Sequence, residues 1–303
     1  MNKKTKILVT GAGGFIGRNL VPRLLEGGYS VTALIRPSSN ISLIKKLNNK
    51  FLVDTGSVEE LTQMMKDENV GGIIHLASCF KPEHSSKDLG EISESNICFP
   101  LRLLEAAVFS GVGWFINTGT VWQHYMNRRY SPVNLYAASK QAFLDISKFY
   151  VENSAINFTT IELGDTYGEN DTRRKIIGLW IESIREGKTL DMSQGEQFLS
   201  LTHVDNVCDA YLKLTGLLDK DSKNLLSGKI FRATGKGMTL KRLSTVFERA
   251  YGQKLDINWG ARPYRKKETM LPFTRGIPVP GWKEKLSIEE GFRRFCRKNG
   301  QSS

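Results

Sequence analysis

A glycine turn close to the first residue constrains this chain more than any other feature. The apolar run Lys6-Ile7-Leu8-Val9-Thr10 leads into Gly11-Ala12-Gly13-Gly14-Phe15-Ile16-Gly17, and a helical pattern continues from there to residue 26. Gly11 permits the tight reversal, Gly14 lets the backbone approach a pyrophosphate, and Gly17 lets a helix pack on the strand. The free N–H groups and positive dipole end of that helix then suit a phosphate. Phe15 and Ile16 open the helix and belong to the same surface.

The residues beyond the turn extend the pattern. Short β-rich runs at 6–10, 30–35, 50–53, 72–76, 113–118 and 157–163 alternate with helical stretches such as 15–26 and 93–109. Apolar strands alternating with helices predict an α/β fold, a doubly wound parallel (Rossmann) sheet covered on both faces. After about residue 164 the alternation stops, and helical stretches at 173–186, 204–217, 240–251 and 288–297 mix with short polar segments. The expected organisation is a dinucleotide-binding domain over 1–164, with 196–218 returning to it. A smaller C-terminal substrate-binding region is expected from 165–195 and 219–303.

The 303 residues, 40% of them apolar, suffice for one large domain or one large and one small domain. No window approaches the roughly 18 uninterrupted apolar residues of a membrane helix, and the start lacks the pattern of a signal peptide. A cytoplasmic protein with no membrane role is expected. Cys79, Cys98, Cys208 and Cys296 form no C-x-x-C pair, so neither a metal site nor a disulfide framework is expected. The formal charge of +12 is spread along the chain. It suits an anionic small molecule such as a nucleotide better than nucleic acid, which would require a basic stripe.

The end of the second strand selects the cofactor. An acid there would accept hydrogen bonds from the ribose 2′-OH of NAD. Here the segment reads Leu34-Ile35-Arg36-Pro37-Ser38-Ser39-Asn40. Arg36, with Ser39 beside it, can bind a 2′-phosphate through charge-assisted hydrogen bonds, which predicts NADP.

Tyr136-Ala137-Ala138-Ser139-Lys140 opens the pattern over 135–150, placing tyrosine and lysine on one helical face. An ammonium beside a phenol lowers its pKa, so Tyr136 is expected to exchange a proton with a substrate oxygen near neutral pH. The preceding strand ends in Thr118-Gly119-Thr120-Val121-Trp122, at the sheet edge where open α/β sheets bind ligands. Trp122, Gln123 and Asp165 come after strands at that edge and are expected to face the substrate.

With these residues in view, the chain resembles the extended short-chain dehydrogenase/reductases, the family of nucleotide-sugar epimerases, dehydratases and ketoreductases. The carriers are the glycine turn, Ile74-His75-Leu76-Ala77-Ser78, Asn96, Tyr136 with Lys140, the stretch 163–168, and His203-Val204-Asp205. The resemblance implies a catalytic triad of Thr118, Tyr136 and Lys140. It implies Leu76, Ala77, Ser78 and Leu163 along the cofactor, Ser57 and Val58 near adenine, and Asp165 near the substrate diphosphate. Gly119 and Thr120 stand where sugar 4,6-dehydratases carry an Asp-Glu pair. Leu199 stands where many epimerases carry an arginine, leaving Arg173, Lys175 and Arg262 as candidate diphosphate ligands. The stretches 117–125, 132–136 and 165–168 resemble bacterial NADPH-dependent nucleotide-sugar 4-ketoreductases, some of which act on CDP-linked sugars for surface polysaccharide such as lipopolysaccharide. The implied reaction is NADPH-dependent reduction of a nucleotide-activated 4-keto-deoxyhexose. The alternatives are an NDP-sugar 4-epimerase with tightly bound NAD and a non-catalytic dinucleotide sensor. A homodimer is a family expectation.

Overall fold

The computed structural model describes residues 4–47, 50–169, 171–173 and 175–300. Eight strands form one parallel sheet. In chain order the first six are β1 (Lys6–Thr10), β2 (Ser30–Ile35), β3 (Phe51–Val53), β4 (Gly72–His75), β5 (Trp114–Thr120) and β6 (Asn157–Leu163). Short strands β7 (Asp165–Tyr167), β8 (Leu190–Met192), β9 (Phe198–Leu199) and β10 (Leu201–His203) lie outside it. β11 (Ile230–Ala233) returns to the sheet, β12 (Met238–Thr239) and β13 (Ile257–Trp259) pair elsewhere, and β14 (Ile277–Pro278) closes the edge. The order across the sheet is β14-β11-β6-β5-β4-β1-β2-β3. The chain therefore reverses direction between β1 and β4, and their carboxyl ends flank the crevice where doubly wound folds bind ligands.

The helices α1 (Phe15–Glu26), α2 (Ile41–Leu47), α3 (Val58–Asp67), α4 (Leu89–Ser93), α5 (Phe99–Ser110) and α6 (Leu135–Asn153) connect the first six strands. After them come α7 (Ile176–Glu186), α8 (Val204–Leu218), α9 (Leu240–Tyr251) and α10 (Ile288–Gly300). The central strands β4 and β6 are buried at every position, as strands covered on both faces must be. One core joins α1 and α8 to the sheet through Leu20, Leu24, Val207, Tyr211 and Leu214. The opposite core joins α3, α5 and α6 through Leu61, Leu103, Phe115, Phe143 and Phe158. A third cluster, centred on Trp180, Phe247 and Phe292, holds α7, α9 and α10 together beyond the carboxyl edge.

The predicted elements differ in detail from those observed. The helix expected over 93–109 contains a π-helical turn, Glu94–Cys98, between α4 and α5. The helix expected from 173 begins at Ile176, and position 174 lies outside the described residues. The stretch 219–303, expected wholly in the second region, sends β11 and β14 into the large sheet. Phe231, Ala233 and Val279 are apolar enough to extend the α1/α8 core, and that burial draws the two strands in.

Candidate active site

The glycine turn is shaped for something held close to its backbone. Gly11 has φ +68°, and a Cβ there would lie 2.7 Å from the Ala77 nitrogen. A Cβ at Gly17 would lie 2.3 Å from the Gly11 carbonyl oxygen, so no larger residue fits where α1 meets β1. The N-cap, Gly14, has no side chain to cap the first turn of α1, leaving its N–H groups to an anion. Phe15 and Gly17 are buried and Ile16 half-buried at that turn. These features fit a dinucleotide pyrophosphate.

The remaining cofactor-side residues lie along the same sheet edge. Arg36 is exposed just past β2, where its N–H donates to the Ser39 hydroxyl at 3.0 Å. The Ser57 hydroxyl caps α3, accepting from the Glu60 N–H at 3.2 Å, and Val58 is the first residue of that helix. The backbone N–H groups of Leu76 and Ala77 donate to the Thr10 carbonyl and hydroxyl at 3.3 and 3.2 Å. The Leu163 side chain is 5% exposed and belongs to the core; only the backbone there is left to line a ligand.

Thr118 stands near the end of β5, and Tyr136 and Lys140 stand in the first turns of α6. Asn134 caps α6 by accepting from the Ala137 N–H at 3.0 Å, and its amide donates to the Pro82 carbonyl at 3.0 Å. This cap fixes the turn that carries Tyr136. The Tyr136 phenol hydrogen-bonds Ser78. Ser78 in turn donates to the Asn96 side-chain oxygen at 3.0 Å. Asn96 is fully buried in the π-helical turn and also donates to the Cys79 carbonyl and the Ser139 hydroxyl, each at 3.0 Å. π-Helical turns inside α-helices concentrate at functional sites, and this one aims the asparagine at the base of Tyr136.

The electrostatics depart from the expectation of a phenol acidified by Lys140. Burial pushes Tyr136 up to about 12; the Ser78 bond lowers it and the Asp165 charge raises it further. Burial alone pulls Lys140 down to about 8. Desolvation is the largest cause for both groups, and it favours the neutral form of each. The neutral phenol is a proton donor as it stands.

On the substrate side the structure gathers some predicted residues and not others. Asp165 and Lys175 form an ion pair at 3.7 Å, both partly buried, and burial lowers Lys175 despite that carboxylate. Trp122 is half-buried, its ring 5.6 Å from that of Phe80. Phe80, 46% exposed, sits edge-on to Tyr136 at 5.0 Å, and the Lys175 ammonium lies 5.9 Å from its centroid. Phe80 thus joins the site although no sequence motif marks it. Gln123 does not join it. The side chain is 1% exposed, accepts from the Thr120 N–H at 2.9 Å and donates to Gln141 at 2.7 Å, closing a capping box that turns it inward. Arg173 is already engaged: it grips Asp171, donates to the Thr166 carbonyl at 3.0 Å and covers the Phe15 ring at 4.2 Å. Such a guanidinium braces the loop against the glycine turn rather than waiting for a diphosphate. Arg262 is exposed beside β8, its backbone bonded to the Met192 carbonyl. Half-buried Leu199 pairs with Met238 and supplies no charge.

A glycine cradle follows β1, a half-buried tyrosine and a buried lysine open α6, and a threonine stands near the end of β5, all toward the carboxyl edge of the sheet. The family model for the NAD-dependent epimerase/dehydratase family matches residues 7–225, most of the chain. The chain belongs to that family. Among curated proteins, this family member is 29% identical to the CDP-abequose synthase of Salmonella muenchen, over 96% of each chain. It is 26% identical to the UDP-glucose 4-epimerase of Mycolicibacterium smegmatis, over 98% of this chain and all of that one. Among solved structures, the UDP-glucose 4-epimerase of Thermotoga maritima superposes with a TM-score of 0.80 at 22% identity, over 98% and 99% of the two chains. That likeness shows the shared fold.

Proposed function

We propose that this epimerase/dehydratase family member reduces a nucleotide-activated 4-keto-deoxyhexose with NADPH, in the making of a surface-polysaccharide sugar. One observation carries the reading: a neutral Tyr136 phenol and a buried Lys140 opening α6, with Thr118 near the end of β5 followed by Gly119 and Thr120 instead of a second acid–base pair. Such a set donates one proton and has no carboxylate for elimination. The nicotinamide, when bound, supplies the hydride. Tyr136 then gives its proton to the oxyanion forming at the ketone, and Lys140 and Thr118 stabilise the charge that develops there. Asp165 and Lys175 take the polar end of the nucleotide sugar, and Trp122 and Phe80 take its apolar face. Arg36 at the β2 end supports NADPH over NADH, and the full-length similarity to a CDP-abequose synthase supports a deoxysugar substrate.

The test is NADPH oxidation across a panel of NDP-4-keto-deoxyhexoses. Reduction of at least one, with little activity on NADH, is the expected result; interconversion of 4-epimers without net NADPH consumption overturns it. That second outcome is the NDP-sugar 4-epimerase reading with bound NAD, which the similarity to UDP-glucose 4-epimerases favours. The proposed setting is the cytoplasm. Among the described residues no helix is long and apolar enough to cross a membrane. The proposed assembly is a homodimer joined through the outer faces of α5 and α6, where Phe109 and Phe149 are each 62% exposed.

A further inference from the structure

No sequence motif marks Tyr211, yet its hydroxyl is joined to the proposed triad. It lies on α8, is fully buried, and its oxygen is 2.6 Å from the Thr118 Oγ. Among the described residues that is the one hydrogen bond its hydroxyl makes. A phenol buried in this apolar core costs more than a phenylalanine unless its oxygen is bonded, so the Thr118 contact is what accounts for the hydroxyl. The direction of the bond is set by proton count. Thr118 has one proton and donates it to the His75 carbonyl at 2.8 Å. Tyr211 is then the donor and Thr118 the acceptor. Burial pushes the Tyr211 phenol up, with a partly opposing effect from the Thr118 bond, so it keeps its proton.

We propose that Tyr211 is a positioning residue for the reaction: by donating to Thr118 it orients that hydroxyl, leaving its one proton for the His75 carbonyl or an incoming ketone oxygen. The chain Tyr211 to Thr118 to ketone also polarises the second link, since a hydroxyl that accepts a bond is a better donor. No bond is made or broken in this step; only the orientation of one O–H changes. The inference rests on the reading of Thr118 as a donor to the substrate.

The experiment is a double-mutant cycle on the full chain, with NADPH oxidation on a 4-keto sugar as readout. Tyr211→Phe keeps the ring and should lower kcat about three- to tenfold, the loss of one neutral hydrogen bond, with KM and NADPH affinity within about twofold. In a Thr118→Val background, Tyr211→Phe should have no further effect; in Thr118→Ser, which restores a hydroxyl, the effect should return. Equal slowing in all three backgrounds marks a merely structural tyrosine and overturns the proposal, as does an unchanged kcat in the single variant. If the wild type reduces no ketone, the reductase reading falls, and crystal structures of the wild type and Tyr211→Phe then decide the orientation claim alone. Thr118 should turn to a second rotamer in the variant; Thr118 held in one unchanged rotamer overturns it.

Discussion

Lys140 is held where folding alone would not keep an ammonium. It is 2% exposed, and burial draws its pKa to about 8 from an ordinary value of 10.5. The unfolded chain therefore holds this proton to higher pH than the folded one. Folding stability should rise as pH climbs from about 8 to 10.5, and the penalty is complete below that window. Lys140→Met, of similar length and uncharged, should gain stability at pH 7, on the order of 3 kcal/mol, while losing NADPH affinity and turnover. Thermal melts at pH 7 and pH 10 check this, and a variant less stable than wild type at pH 7 contradicts it. Tyr136→Phe should behave differently, with NADPH affinity retained and turnover reduced about 10²- to 10⁴-fold in single-turnover measurements. Arg36→Asp should swing the NADPH-to-NADH preference at least about tenfold; equal affinity of the wild type for both would remove Arg36 from the cofactor site. At this scale, what was legible in the sequence was what adjacency encodes. Tyr136 and Lys140 announce themselves by four-residue spacing, and Gly11, Gly14 and Gly17 by local steric need. Tyr211 and Phe80 reach the site from other elements, so their roles exist only after folding. Gln123 misleads because its place after a functional strand does not fix direction, and a capping box rotates it inward.

The segment between β5 and α6 carries the chain from Thr118 to Tyr136, and a buried pair pins it. The His124 Nε2 lies 2.6 Å from the Glu162 carboxylate on β6, and its Nδ1 lies 2.8 Å from the Arg129 carbonyl and 3.2 Å from that of Arg128. Burial disfavours the charged ring, yet the Glu162 bond and those carbonyls outweigh it and raise His124 above its usual 6.5. Phe273 stacks on the imidazole at 5.8 Å, and Asn127 bonds the Pro272 carbonyl at 2.8 Å, so the same pin holds the C-terminal segment. A raised histidine stabilises the fold fully below its unfolded pKa and loses that contribution as pH rises through its folded value. Denaturant midpoints should therefore fall between pH 6 and pH 8 in the wild type, below the window in which Lys140 acts, and Glu162→Gln should flatten that fall; an identical slope in the variant sinks the assignment. Neither end of this pair was visible beforehand, since His124 and Glu162 are 38 residues apart and meet only through sheet register. The six leading strands were legible because buried parallel strands read as continuous apolar runs. β11 and β14 were not, being short and separated from β6 by a stretch that includes α7 and, for β14, α9, which belong to another cluster.

For the whole molecule, the exposed phenylalanines of α5 and α6 give the proposed homodimer a direct check. Light scattering should return about twice the 34.1 kDa of one chain, and Phe149→Glu should halve it by placing a charge in an apolar seam. A wild-type monomer at micromolar concentration would remove the dimer. The sheet order has another consequence, one of time. β5 pairs with β6 and β6 with β11, and the register sets Ile230 beside Thr160, about 70 residues earlier. Long loops must close before such pairs repay their entropy, which makes parallel sheets slow to assemble. The strand beneath Thr118 is thus walled on its far side only after most of the polypeptide has been synthesised. A nascent chain released too early would expose the apolar edge of β6 to its neighbours. The pocket is a late product of folding, and yield of soluble protein should depend on chaperones that shield that edge while translation finishes.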